Sequence, residues 1–359
     1  MPTALQIAQV RQTPFSAGLI MAIQDAHPLF SNFDFRTVDG YDFLSLALIT
    51  RPNAAAFSRY GEGWEHTSSA YELRRFSTSL IGGIVKSEMI TEDRWNRENS
   101  AIEFEWFDIE TEEKFKASIM GIERQMILGR ANDAEGFPGA KELTPFQSGN
   151  TISMTENGAK YNYARSVLNA GGSTADTASS VYSFVFGEKQ CQGILGGGAN
   201  SGEFLRIDEP TIEMLAADPV NAPTKLSRHK VAQMSGHVGL SVAGFNQEKE
   251  GQAIPVQYAL RRIANLTEQT GYKLTDAHMT KLSRMHGTGL RPSLFAMSER
   301  GGEQLAASRT PTSQVFNMGS GDAAVMQSNT FPDPPDNWRG IPIVYVDPSV
   351  IADDDAIEV

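Results

Sequence analysis

Between Pro52 and Pro138 the chain contains no proline, and from Thr91 to Gly129 its apolar residues fall at helical intervals. Trp95, Ile102, Trp106 and Ile109, then Phe115, Ile119, Ile122 and Met126, step by three, four or seven, which is the stripe of one long amphipathic helix. The register slips between Ile109 and Glu113, so a break is expected there. Thr91 followed by Glu92 and Asp93 suits the helix start, and Gly129, with Gly136 and Pro138 beyond it, suits the stop. A helix of ~35 residues would be about 50 Å long at 1.5 Å per residue, and the other segments must accommodate a rod of that length.

Ahead of this spine, residues 54–90 have two glycine-bearing breaks and β-compatible runs at Tyr71 to Phe76 and Leu80 to Val85, which read together as a long hairpin. A lone two-stranded hairpin is marginally stable in water, so this one should lie on something else, which in a self-assembling protein can be the neighbouring subunit. Residues 1–50 read as an extended arm, because Pro2, Pro14, Pro28 and Pro52 recur along a segment whose short apolar patches cannot form a core alone.

Behind the spine, Gly136 to Ser180 is rich in Gly, Ser, Thr, Asn and Ala and reads as loop, with one short helix at Tyr161 to Leu168. Strand signals return at Val181 to Gly187, Phe204 to Asp208, Gly236 to Phe245 and Tyr258 to Leu266, and together suggest an antiparallel sheet. A helix from Thr275 to His286, a strand from Pro292 to Met297, a serine-capped helix from Ser298 to Arg309 and the β-branched run within Trp338 to Ile351 follow. Asp353 to Val359 reads as an acidic tail, and no solenoid or propeller repeat is present. The fold class is α+β.

At 359 residues and 40% hydrophobic content the chain can hold two or three packed regions. Its 43 acids against 31 bases give a net charge of −12, which argues against tight, sequence-independent binding of nucleic acid, since neutralising phosphates takes clustered Lys and Arg. The lone Cys191 reads as a small buried residue of a chain folded in a reducing cytosol. Leu19 to Ile23 is apolar but lacks the basic leader and long core of a signal peptide, so neither a signal peptide nor a membrane span is expected.

Signs of chemistry are weak. The nearest histidine pairs, His229 with His237 and His278 with His286, are eight apart, whereas helical zinc pairs need about four, so no metal is expected. Gly193 to Gly202 lacks the Gly-Lys-Ser/Thr ending of a phosphate loop and reads as a flexible turn between strands; Met318 to Asp322 reads as a turn in a Gly/Ser/Asn loop. No catalytic residue and no cofactor is assigned. The acids Glu98, Glu103, Glu105, Asp108, Glu110, Glu112 and Glu113 form either a solvated helix face or the partner of the hairpin's cations Arg74, Arg75 and Lys86 on an adjacent subunit. Trp64, in a glycine-flanked loop with no local core, either packs on its own spine or anchors an intersubunit contact.

The segments Gly61 to Gly83 (GEGWEHTSSAYELRRFSTSLIGG), Ser179 to Ile194 (SSVYSFVFGEKQCQGI), Lys273 to Thr310 and WRGIPIVYVD from Trp338 resemble the major capsid proteins of tailed bacteriophages, of the short-tailed-phage type. The resemblance covers most of residues 55–350 and departs from the family at Gly196-Gly197-Gly198 and at Gly301-Gly302. It implies the shared tailed-phage and herpesvirus capsid fold, with an N-terminal arm (1–53), an extended β-hairpin loop (54–90), a peripheral domain (91–270) carrying the spine helix (about 91–129) and an axial domain (271–359). What it implies of function is a non-enzymatic virion protein that gathers as hexamers and pentamers into an icosahedral head enclosing double-stranded DNA without specific binding. It further implies assembly in the bacterial host cytoplasm with a scaffolding protein, a precursor shell that expands, and a portal protein, leaving a decoration protein open. The intersubunit contacts so implied are Trp64, Arg74, Arg75, Lys86, Glu103, Glu110 and Glu113. The competing readings are an encapsulin-like compartment shell and a soluble α+β enzyme.

Overall fold

The computed structural model describes residues 27–38, 40, 42–50, 70–98, 106–154, 165–187, 190–196, 205–218, 222–242, 259–286, 290–309 and 333–359. Trp64, Glu103, Glu105, most of the arm, the tip of the expected hairpin, Gly197 to Gly202 and Met318 to Asp322 lie outside them, as do Tyr161 to Ala164 of the expected short helix, whose end at Val167 and Leu168 is extended strand.

In chain order the elements are α1 (Pro28–Asn32), β1 (Phe35–Val38), β2 (Asp42–Thr50), β3 (Ala70–Ser77), β4 (Ser79–Glu88), α2 (Met89–Glu98), α3 (Trp106–Leu128), α4 (Ala140–Leu143), β5 (Thr151–Ser153), β6 (Val167–Asn169), β7 (Ser179–Phe184), β8 (Cys191–Gly196), β9 (Arg206–Ile207), β10 (Thr211–Asp218), β11 (Ala222–Val242), β12 (Leu260–Leu266), α5 (Asp276–Met285), β13 (Leu294–Met297), α6 (Glu299–Ser308), β14 (Asn337–Trp338) and β15 (Ile341–Tyr345). They sort into two compact units, one formed by residues 1–142 and 187–243, the other by 143–186 and 244–359.

The first unit is built on β11, a 21-residue strand that at about 3.3 Å per residue runs roughly 70 Å. β4 pairs along one stretch of it, from His229↔Glu88 to Val238↔Ser79, while β10, β9 and β8 pair with successive parts of it. β1 joins β8 in parallel, and the Phe35 ring lies so close over Gly193 that a Cβ there would sit 2.3 Å from it. β2 and β3 form a separate two-stranded ribbon.

α3 covers part of this sheet. Its buried face carries Phe107, Ile119, Ile122, Met126 and Ile127, and Phe107 packs with Val85 of β4 and Ala232 of β11. Gly129, at φ +65, ends the helix in the left-handed conformation that glycine adopts at little cost.

The second unit holds a seven-stranded mixed sheet in the order β14-β15-β13-β7-β12-β6-β5. α5 and α6 bury Met279, Leu282, Met285 and Leu305 with Ile263, Phe295, Met297 and Trp338 of the strands. Thr275 and Ser298 cap the two helices, accepting the backbone N–H of His278 and Gly301.

Five expectations are corrected. Gly136 to Ser180 is not loop throughout, because it holds α4, β5 and β6, and Val167 and Leu168 of the expected helix belong to β6. Tyr71 to Phe76 and Leu80 to Val85 are strands but do not pair with each other: β3 pairs with β2 and β4 with β11. Only Thr78 separates β3 from β4, too short a link for a reversal, and each pairs with a strand elsewhere. The spine does not break at Ile109 to Glu113, because α3 is continuous from Trp106 to Leu128. Those turns bury no side chain fully, so a slipped stripe loses little there, and Lys116 bridges Glu112 at 2.8 Å and Glu113 at 3.0 Å across the following turn. The expected single antiparallel sheet is two mixed sheets, since β7 and β12 belong to one and β9 and β11 to the other. Finally, Gly193 to Gly196 is not a turn: Cys191–Gly196 is a strand buried at all six positions, where glycine admits the Phe35 ring.

Candidate interaction surface

β4 alternates along its length. Leu80 and Ile84 are 69% and 64% exposed, and the residues between and after them on that face, Gly82 and Lys86, are exposed too. Val85 and Ser87, facing the other way, are buried. Because paired residues in an antiparallel ladder project to the same side, the outward face continues onto β11 through Gln233 opposite Ile84 and His237 opposite Leu80.

A second apolar surface lies where the edge strand β10 pairs with the first half of β11. Ile212, Met214 and Leu226 are 62%, 57% and 58% exposed. The register sets Ile212 opposite Lys230 and Met214 opposite Arg228, so two large apolar side chains and two cations share one face at the edge of the sheet. Lys230 reaches back along its stem, its Nζ 4.6 Å from the centre of the Phe107 ring and 3.4 Å from Glu92. Exposed apolar side chains in a row at a sheet edge gain free energy only when another surface covers them.

The sequence-assigned contact residues are dispersed. Arg75 is exposed on β3 and hydrogen-bonds Asp42 across the ribbon, a bond that, with the charge of that carboxylate, raises the guanidinium pKa. Arg74 lies beside it in β3, at the register position of Ser45. Lys86 is exposed on β4 opposite Val231. Glu110 is half-buried on α3, while Glu113 is exposed and bonded to Lys116 of its own helix. The hydrogen bonds that Lys116 donates to Glu112 and Glu113 raise its pKa, so part of the acid cluster is satisfied within the spine itself.

One polar anchor escaped the sequence reading. Glu123, 2% exposed on α3, accepts the backbone N–H groups of Leu29 at 2.8 Å and Phe30 at 3.3 Å and lies 3.2 Å from His27 Nδ1. It fastens α1 to the spine, and the rings of Phe30 and Phe33 pack at a tilt against Phe35 beside that turn. Glu123 follows Ile122 in the apolar stripe and its partners are more than ninety positions away, so no local pattern marks it.

The histidine pairs are far apart. Eight residues along β11 separate His229 from His237 by about 26 Å, and the eight from His278 to His286 span about 12 Å of helix. Among the described residues no group of three or more His, Cys, Asp or Glu side chains is placed to hold a metal ion, and no helix is long and apolar enough to cross a membrane.

No protein-family model matches the sequence, and no curated protein matches it. Among solved structures the chain is similar to one of bacteriophage Epsilon15, with 14% identity over 90% of this chain and 88% of that one and a TM-score of 0.48. It is also similar to a chain of mycobacterium phage Cain, with 10% identity over 73% of this chain and 98% of that one and a TM-score of 0.42. A third is a chain of the procapsid of bacteriophage JBD30, with 11% identity over 79% of this chain and 87% of that one and a TM-score of 0.36.

Proposed function

We propose that this chain is a structural shell subunit, a phage-type capsid protein that works by packing against copies of itself. The observation that carries the reading is β10, the edge strand of the first sheet, where Ile212 and Met214 stand exposed beside Leu226 of β11. The two-stranded ribbon β2–β3 and the outward Leu80 and Ile84 of β4 support it, as does the residue-level resemblance of residues 61–83 and the last third of the chain to tailed-phage capsid proteins.

In this reading copies gather as hexamers and pentamers that close around double-stranded DNA. A scaffolding protein guides assembly in the host cytoplasm, and a portal protein occupies one vertex. Residues 1–53 act as the arm, 54–90 as the extended loop, 91–270 as the peripheral domain and 271–359 as the axial domain. Trp64, Arg74, Arg75, Lys86, Glu103, Glu110 and Glu113 lie at contacts between subunits. Interfaces of about 1,200–2,000 Å² would make each contact specific without making it strong, and repetition around a closed shell supplies the stability. A net charge of −12 suits a container that must release its DNA.

Sedimentation velocity and electron microscopy of the purified chain test this directly. Rings of five or six subunits, or closed shells, are expected. A monomer or dimer that persists at high protein concentration overturns the reading and leaves the enzyme alternative; shells that close without a scaffold around a cargo enzyme favour an encapsulin-like compartment.

A further inference from the structure

Residues 352–359 cross the second unit as a surface strap fastened at three points. At the first, Asp353 accepts the Ser298 hydroxyl at 2.6 Å and lies 3.4 Å from Arg300 Nε. At the second, the backbones of Asp355 and Ala178 exchange two hydrogen bonds, 3.0 and 3.1 Å long, as a single antiparallel bridge. At the third, the Asn265 carboxamide takes the place of a strand, donating to Glu358 O at 2.8 Å and accepting Glu358 N–H at 2.9 Å.

Beneath the third point lies Arg262, whose side chain is 2% exposed. It donates to Glu358 through both terminal nitrogens, at 2.9 and 2.5 Å, and to Ser180 Oγ at 3.1 and 2.9 Å. A guanidinium in mid-strand, with its fork turned to a carboxylate, is the geometry that reads such a group bidentately. Burial alone would lower its pKa, but Tyr182, Glu358 and Asp355 beside it raise it further, so the guanidinium stays charged.

The backbone is shaped for this contact. Asn265 holds φ +58 where the register of β12 against β7 shifts, an irregularity that turns one side chain out of the ladder, and asparagine is among the few residues that tolerate that conformation. Glu358 itself is 23% exposed on its side chain, and Asp354 and Ala356 face solvent, so the strap lies on the unit without being part of its core.

We propose that the second unit carries a peptide-binding site for an extended, glutamate-bearing segment, built from Arg262, Ser180, Asn265 and the backbone of Ala178, and that residues 352–359 fill it in cis. The site stands independently of the shell reading, because every group in it belongs to one unit of one chain.

The test uses the full chain. In a Glu358→Ala variant the amides of Asp355 and Glu358 are expected to exchange hydrogen at least tenfold faster than in the unaltered chain. A labelled peptide of residues 350–359 is expected to bind that variant at least tenfold more tightly than the unaltered chain, whose site is occupied. The same peptide carrying Glu358→Gln should bind at least tenfold more weakly. Unchanged exchange, or peptide binding indifferent to the glutamate, overturns the proposal. Circular dichroism of the variant confirms that it is folded; should it not fold, Glu358→Gln in the full chain gives the same exchange readout with a smaller perturbation. Assembly, followed separately by electron microscopy, can fail or succeed whatever these measurements give, so the two readings fall independently.

Discussion

His278 sits in the first turn of α5, 4% exposed, with Nδ1 2.7 Å from the Thr275 hydroxyl that caps the helix. Its other ring nitrogen, Nε2, is buried without a hydrogen-bond partner among the described residues, so a second proton there would be a buried charge with nothing to accept it. Burial, reinforced by the nearby Lys281, lowers its pKa to about 4. In the unfolded chain the same ring titrates near 6.5. The unfolded state therefore binds more protons between these values, and the native state loses stability as pH falls from about 6.5 to about 4. At about 1.4 kcal/mol per pH unit of that gap, the loss is on the order of 3–4 kcal/mol at most. Thermal unfolding between about pH 4 and 7 should show the melting temperature falling on acidification, with a shallower slope in His278→Phe; equal slopes would rule this histidine out as a source of acid sensitivity.

At the scale of elements, the doubled glycine of α6 shows how one motif can hold two different constraints. A Cβ on Gly301 would meet Met297 at 3.4 Å, ordinary contact, whereas one on Gly302 would stand 2.4 Å from the Tyr345 ring of β15. Glycine costs a helix interior about 1 kcal/mol relative to alanine, so Gly301→Ala should stabilise the chain by about that amount. Gly302→Ala gains the same propensity but pushes apart α6 and a Tyr345 whose hydroxyl is tied to Pro335 O at 2.8 Å, and should cost about 1–3 kcal/mol net. Urea unfolding of the two variants separates these effects by sign. The sequence made α6 itself legible, because Ser298 and the spacing of Leu305 and Ala306 are local signals, and α5 and α3 were legible for the same reason. Pairing was not. β4 finds β11 about 150 positions away, and nothing in SLIGGIVKSE distinguishes that partner from β3 next door. β10 was missed because its exposed Ile212 and Met214 alternate with polar residues in a pattern too short to stand out from loop.

For the whole molecule the question is which surfaces exist for other copies, and there the sequence pointed to the charged hairpin while the structure adds an apolar sheet edge. Ile212 and Met214 are more than half exposed, so replacing both with aspartate removes no core contact and should change the stability of the isolated chain by no more than about 0.5 kcal/mol per site. In an assembled shell the same side chains would be covered. Burying each contributes roughly 1.5–3 kcal/mol, and two carboxylates in their place would have to be desolvated beside a neighbour. Lys230 and Arg228, opposite them in the ladder, offset part of that charge, which favours the monomer further by satisfying the new carboxylates within the chain. Since about 1.4 kcal/mol is a factor of ten in an equilibrium constant, losing even one such contact per subunit weakens each junction by one to two orders of magnitude. A ring must close through every junction at once. The Ile212→Asp/Met214→Asp chain should therefore melt with the unaltered chain by circular dichroism yet sediment as small species under conditions where the unaltered chain forms rings or shells; normal particles from the double variant would show that the β10 edge faces solvent in the assembly.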